Sequence, residues 1–243
     1  MTHKAINIKA MLLTGMLCTA TTAMAAAPAN QGTFFGPTPY LSTADVPAGF
    51  YSLAGATVLD TLEDGSLDST LVGSGGGSIL SNGFGGARDS VDSDDGVING
   101  TCGAQTAGRC VSWFNGAGNR GATFTFAGTG PLPTAFGLAW TDGAGTITFS
   151  ALNADGQSLG SISASGFADG SFGATTAEDR FFGVQFAGGI RSITISNSAG
   201  GIEVDHIQYG QMAAAVPEPE TYAMLLAGLG LMGAVARRRK QKL

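Results

Sequence analysis

The stretch that decides the fold is TITFSALNADGQSLGSIS, residues 146–163. On both sides of residues 153–157, apolar and polar residues alternate, which is the period of a strand with one buried face. The Asp155-Gly156 pair between the two runs is typical of a tight turn that joins antiparallel strands. The stretch therefore predicts a β-hairpin.

Similar runs occur on both sides of this hairpin, at residues 122–127, 181–187, 192–196 and 202–209. The last two are separated by Gly200-Gly201, which predicts a second hairpin at residues 197–201. Residues 71–100 read as glycine-rich loops with one weak strand near Ile79. No long segment of residues 26–215 shows an apolar repeat of 3.6 residues, so we expect one all-β domain, a jelly-roll-like β-sandwich over residues 51–212.

The amino terminus predicts export. Lys4 and Lys9 precede an apolar run at residues 10–20, and Ala23-Met24-Ala25 supplies small residues for cleavage. This is the pattern of a secretory signal peptide over residues 1–25. Residues 26–50 would then form an amino-terminal extension ahead of the sandwich.

The charge of the exported part argues against nucleic acid as a partner. Residues 26–215 contain no lysine, five arginines and 16 acidic residues. Phosphate backbones are bound through lysine and arginine, so a surface this acidic repels them.

Two cysteines remain after removal of the signal peptide, Cys102 and Cys110. An oxidising compartment outside the cytoplasm favours a disulfide between them, which would close a short loop. The alternative is a metal or redox pair, but the spacing is not the two-residue spacing that such sites use.

The carboxyl terminus has three parts in a fixed order. Pro217-Glu218-Pro219 predicts extended, unpaired backbone, because proline lacks a backbone donor and restricts φ. Residues 221–236 carry no charge and predict a helix of about 24 Å, shorter than a hydrocarbon core of about 30 Å. Arg237, Arg238 and Arg239, followed by Lys240, would reach the headgroups and remain on the cytoplasmic side.

These residues resemble the PEP-CTERM sorting signal of Gram-negative bacteria, here over residues 213–243. The resemblance implies that an exosortase, a membrane-embedded enzyme of exopolysaccharide-producing bacteria, recognises and removes the tail. The protein would be anchored in the membrane transiently and then reach the cell surface or extracellular matrix. The alternative is a plain carboxyl-terminal membrane anchor.

The body also resembles a recurrent module of exported bacterial proteins to which no activity is assigned. The stretches that carry this resemblance lie at residues 89–100, 139–145, 177–184 and 200–210. The resemblance supports the fold rather than a role.

Three carboxylates suggest a structural calcium ion. Glu63 and Asp64, after an early strand, and Asp205, in the last one, resemble an arrangement in carbohydrate-binding jelly rolls. In those domains a glutamate near the start and an aspartate near the end can share a structural calcium, because the first and last strands are neighbours. Carboxylate oxygens suit calcium outside the cell, where weak sites are filled. Ordinary surface carboxylates are the alternative, and no other cofactor is expected.

Trp113 and Trp140 are the candidate sugar platforms, since tryptophan rings stack on sugars, although each also fits a core position. For the enzyme alternative, an extracellular glycoside hydrolase, Glu178, Glu203 and Asp205 are the available carboxylates. Glu203 and Asp205 alternate, so they share one strand face, which we expect to face solvent. The favoured interpretation is a non-enzymatic surface or matrix protein that binds exopolysaccharide, and a purely structural or adhesive protein is the other alternative.

Overall fold

A computed structural model describes residues 31–51, 57–81, 90–91, 111–170, 176–212 and 219–240. Within these residues, ten antiparallel strands precede one α-helix. The strands are β1 (Thr33–Pro39), β2 (Val58–Asp60), β3 (Leu71–Ser74), β4 (Ser78–Ser81), β5 (Val111–Asn115), β6 (Ala122–Phe126), β7 (Ala135–Asn153), β8 (Ser158–Ser165), β9 (Arg180–Gln185) and β10 (Ile190–Gly210), and the helix is α1 (Pro219–Lys240). The prediction of an antiparallel all-β body is confirmed, and a jelly-roll connectivity stays a prediction.

The predicted hairpin after residue 152 is present between β7 and β8. The Asn153 side chain closes it, because its Oδ1 accepts from the backbone amides of Asp155 and Gln157 at 3.0 and 2.9 Å. Gly156 takes a φ of +75°, a conformation that costs glycine little. Local turn chemistry therefore fixes this element.

The second predicted hairpin, at residues 197–201, is wrong. β10 continues through these residues and pairs with β7 from Ile190↔Asn153 to Gly210↔Ala135, with register shifts at Asn197/Ala199 and Ala199/Ile202. Gly200 has a φ of +70°. The glycines thus form β-bulges that bend one long strand. A positive φ permits a bulge within a paired strand as well as a turn between two strands.

The two halves of β7, and likewise of β10, pair with different strands. These halves define two sheets, which we call the first and the second sheet. The first sheet joins residues 135–140 of β7 and the end of β10 to β9, β1, β5, β4 and β2. The second sheet joins residues 146–153 of β7 and the start of β10 to β8, β6 and β3. All ten strands are linked by hydrogen bonds because β7 and β10 run through both sheets.

The two sheets enclose the larger apolar core. Phe149 of the second sheet lies 5.9 Å from Phe182 of the first, measured between ring centroids, and Trp113 lies 5.4 Å from Phe124. The alternating residues Ile193 and Ile195 of β10 are fully buried in the same core. A two-layer β-sandwich follows from these contacts.

A smaller apolar cluster covers the outer face of the first sheet. Its largest members are Tyr40, Phe50 and Phe181, each fully buried. Gly137 and Gly183 are cross-strand partners beneath them, and a Cβ at either position would approach ring carbons of Phe181 to less than 3.0 Å. Residues 26–50, expected to precede the domain, thus contribute β1 and two core rings to it.

Candidate functional site

The carboxyl-terminal segment contains α1, which begins at Pro219. Proline fits the first helical position, where no backbone donor is needed, so Pro219 is helical rather than extended as predicted. The extended conformation predicted for Pro217 and Glu218, like the predicted disulfide of Cys102 and Cys110, lies outside the described residues.

The apolar side chains of α1 are not buried. Between Met224 and Met232, the large ones are 51–75% exposed, and Arg237 is exposed as well. Arg238 and Arg239 lie in the last turn of the same helix. Among the described helices none is long and apolar enough to cross a membrane, so the predicted transmembrane helix is not confirmed.

The predicted tryptophan platforms do not form in this structure. Trp140 is 1% exposed, and its Nε1 donates to Asn197 Oδ1 at 3.0 Å. Trp113 is 6% exposed and contacts Phe124 edge to face. Both rings face the core between the sheets, so neither offers a face to a sugar. The platform prediction is wrong, and the core alternative holds for both residues.

The three carboxylates predicted to share calcium have separate protein partners. Glu63 Oε1 accepts from the Val111 amide at 3.3 Å, and the exposed Asp64 accepts from Ser66 within its own turn. β2 does lie beside β10, but Asp60 is the acidic residue opposite Ile207. Within the described part of the chain no three acidic, histidine or cysteine residues are grouped as metal ligands. The structure gives the calcium site no support, and it stays a prediction.

Glu203 and Asp205 do share one face of β10, but the expectation that this face meets solvent is wrong. Glu203 is 2% exposed, and Asp205 is fully buried beside Val91, a member of the smaller apolar cluster. Asp205 Oδ2 accepts from Ser90 Oγ at 2.8 Å and from the Val91 amide at 3.0 Å. The covering segments supply the donors that make this burial tolerable.

A buried polar cluster continues from Asp205 along β10. His206 has a φ of +43° at the bulge between Asp205 and Gln208, and its amide donates to Asp205 Oδ1 at 2.6 Å. Gln208 Nε2 donates to Tyr40 Oη at 3.1 Å, so the Tyr40 hydroxyl can donate to His206 Nδ1 at 3.0 Å. These hydrogen bonds tie the Tyr40 segment to the sheet.

An acid pair lies where the two sheets diverge. Glu178 is 2% exposed, its Oε2 accepts from the Asp169 amide at 3.0 Å, and burial raises its pKa to about 8, with the nearby Asp142 carboxylate adding to the effect. Asp142 also lines a small pocket of about 100 Å³ formed by the bulged glycines of β7 and β10. Glu178 is therefore protonated at neutral pH, whereas an ordinary glutamate is ionised.

The outer face of the second sheet carries a continuous set of hydroxyl groups. One cross-strand row consists of Ser161, Ser150, Thr194, Thr123 and Ser74, which are register partners across β8, β7, β10, β6 and β3. All five are exposed or half-buried. We call this outer surface of the second sheet the hydroxyl face.

The hydroxyl face was not predicted from the sequence, although its signal is present in the strands. Serine or threonine alternates with Phe124 and Phe126 in β6, with Phe149 in β7, and with Ile193 and Ile195 in β10. Alternation within one strand predicts only that these small hydroxyl residues form its polar side. Their joint register was visible only after the strand order was fixed.

The carboxyl-terminal segment matches a family model, the PEP-CTERM protein-sorting motif, over residues 215–240. The chain therefore carries this sorting motif, as its resemblance implied. The match covers the tail and leaves the sandwich unassigned.

No curated protein matches the chain. Among solved structures, a mutant of a family 29 carbohydrate-binding module aligns with 68% of this chain and 98% of its own, at 8% identity and a TM-score of 0.36. A likeness at this level carries no argument about fold or ligand.

Proposed function

We propose that the protein is an exported substrate of an exosortase and acts at the cell surface or in the extracellular matrix of a Gram-negative bacterium. The sorting motif at residues 215–240 carries this proposal. The exposed Leu and Met side chains of α1 support it, because an apolar helix surface of this kind needs a lipid or protein partner. The enzyme would engage Pro217-Glu218-Pro219 and release the sandwich from the helix and its basic end.

The mass of the protein in its native cells tests the sorting proposal. We expect a mature form that lacks residues 1–25 and the basic tail. Pro217→Ala with Pro219→Ala, or Arg237, Arg238 and Arg239 each changed to Gln, should leave an unprocessed form in the membrane fraction. Thr221→Ala, within the matched segment but outside the Pro-Glu-Pro residues and the arginines, is the matched control and should be processed normally. A native mass that still includes Arg237 would contradict the proposal.

We propose further that the body binds polysaccharide without cleaving it. The uncharged hydroxyl face supports binding, and the burial of Glu203 and Asp205 gives a hydrolase no exposed carboxylate pair on that strand. The tryptophans have no part in this proposal.

Co-sedimentation with the extracellular polysaccharide of the producing bacterium tests this second part. We expect saturable retention of the protein and no release of reducing ends. Retention with loss of chain length would favour the glycoside hydrolase alternative, and no retention would favour a structural or adhesive protein. Parallel samples with calcium and with chelator test the predicted ion, since a structural calcium would raise the melting temperature.

A further inference from the structure

We propose that an uncharged polysaccharide chain binds across the hydroxyl face of the second sheet. This inference rests on the proposed polysaccharide binding and names both the surface and the class of ligand. It follows from the chemistry, spacing and charge of the outward residues of β3, β6, β7, β8 and β10.

The outward groups match the hydrogen-bonding capacity of sugar hydroxyls. A serine or threonine hydroxyl donates one hydrogen bond and accepts two, as a sugar hydroxyl does. Within the face some already pair with each other, Thr123 Oγ1 with Thr194 Oγ1 at 2.8 Å and Thr148 Oγ1 with Ser163 Oγ at 3.1 Å. Each pair uses only one donor, so both oxygens keep acceptor capacity and one hydroxyl hydrogen remains available to a ligand.

The spacing of the hydroxyls is regular because the sheet sets it. Neighbouring strands lie about 4.8 Å apart, and outward residues of one strand repeat about every 6.8 Å. A second row, Ser163, Thr148 and Ser196, lies beside the first along these strands. A polymer of hydroxylated rings can therefore make repeated contacts here, whereas a single small solute would use only a few.

The charge distribution selects an uncharged ligand. None of β3, β6 and β8 contains an acidic or basic residue, nor do residues 146–153 of β7 or 192–197 of β10. The rest of the exported chain is strongly acidic. Arg191, at the start of β10, is the one exposed cation among the described strand residues of this sheet, and its Nη1 donates to the Phe126 carbonyl oxygen at 3.2 Å. An anionic polymer would meet only this one cation and would be repelled by the acidic surroundings of the face.

A second copy of the chain is a weaker candidate for the same face. Stable protein interfaces have an apolar core, and the exposed large apolar residues here are Val72 and Leu152, at one end of the face. A neutral polymer needs no such core, because its own surface is rich in hydroxyls.

The decisive experiment measures binding of full-length protein to the host's extracellular polysaccharide, separated by anion exchange into neutral and acidic fractions. Thr123→Val with Thr194→Val removes two hydroxyls and keeps the shape and branching of both residues. Thr33→Val with Thr38→Val makes the same change on β1 of the first sheet and is the matched control. Unchanged melting temperatures would show that both double variants fold.

We expect the wild type to bind the neutral fraction, and the Thr123/Thr194 double variant to bind it about tenfold more weakly, since two hydrogen bonds are lost. The Thr33/Thr38 control should bind like the wild type. Equal binding by all three proteins would overturn the assignment of the face and leave the proposed function intact. Failure of the wild type to bind either fraction would remove the polysaccharide role and this inference together.

Two substitutions of opposite charge at the same position on the face distinguish a neutral polysaccharide from an acidic one. Ser163→Lys and Ser163→Asp should weaken neutral binding to a similar degree, because each adds a charge that must lose water on contact. An acidic ligand would instead bind the lysine variant more tightly and the aspartate variant less. That result, or a concentration-dependent dimer lost in the Thr123/Thr194 variant, would show that the proposed occupant is wrong.

Discussion

The outer faces of the two sheets differ in a way that the local sequence does not show. β7 and β10 supply residues to both faces. On the first sheet the outward residues include Glu203 and Asp205, and chain segments bury them. On the second sheet the outward residues are mainly uncharged serines and threonines that are exposed or half-buried, with Val72 and Leu152 at one end. Exposure of these outward residues is therefore decided by which segments cover a sheet face, and on β10 the carboxylates are the buried ones.

The largest expected effect comes from removing an aromatic ring that covers the outer face of the first sheet. Phe181→Ala should lower the free energy of unfolding by about 3–5 kcal/mol, because Phe181 is fully buried between Tyr40 and Phe50. Val72→Ala, an exposed position on the second sheet, is the control and should change it by less than 1 kcal/mol. Denaturant unfolding measures both.

Phe181→Ala also shows whether the segments that cover the first sheet unfold locally, while the core between the sheets stays folded. Hydrogen exchange should speed up at the Tyr40 and Phe50 amides, which donate to Asp179 and Pro47 at 3.2 and 3.0 Å. Phe182→Ala, on the opposite face of β9, should instead speed exchange throughout the sandwich. Identical exchange patterns in the two variants would mean that the two clusters are one cooperative unit.

The next effect concerns the buried carboxylate. Asp205→Ala leaves the Ser90 hydroxyl and the Val91 and His206 amides without their acceptor, so we expect a loss of about 2–4 kcal/mol. Ser196→Ala, outward on the same strand in the second sheet, should cost about 0.5 kcal/mol or less. Thermal unfolding of both proteins checks the difference, and equal losses would show that the two faces are not distinct.

The acid pair between the sheets predicts a pH dependence. The pKa of Glu178 is about 8 in the folded protein and lower when unfolded, so the folded state binds the extra proton between those values. Stability contributed by Glu178 is then present at low pH and is lost as pH rises through about 8. Glu178→Gln mimics the protonated form and should raise the free energy of unfolding at pH 9 by about 1–2 kcal/mol, with little change at pH 4.

Melting curves of the wild type and Glu178→Gln between pH 4 and pH 9 measure this effect. Glu220→Gln, in α1 and remote from Asp142 in the sequence, controls for the loss of one negative charge. Parallel pH profiles for wild type and Glu178→Gln would contradict the proton-binding interpretation.

The smallest expected effect is on the hydroxyl face. Thr123→Val with Thr194→Val should change the free energy of unfolding by about 0.5 kcal/mol or less, because both partners of one hydrogen bond are replaced by apolar groups of the same shape. A loss above 2 kcal/mol would show that these hydroxyls hold the sheet together. The face would then need no ligand to explain it.

The sequence alone was sufficient for features whose cause is local. The β7–β8 hairpin follows from Asn153 and Gly156, whose side-chain and backbone preferences act within five residues. The sorting motif is linear, so its proline pair, apolar run and arginines could be recognised in order. The alternation in β6 and β8 likewise predicted two strands with one buried face.

Tertiary structure decided the rest. Gly200 and Gly201 permit either a turn or a bulge, and only pairing with β7 selected the bulge and kept β10 continuous. Burial of Trp113, Glu203 and Asp205 depended on segments distant in the chain, because alternation shows that two residues share a face but not what covers it. The row from Ser161 to Ser74 exists only because the strand order β8-β7-β10-β6-β3 aligns five separate hydroxyls, and cross-strand register is a property of the folded sheet.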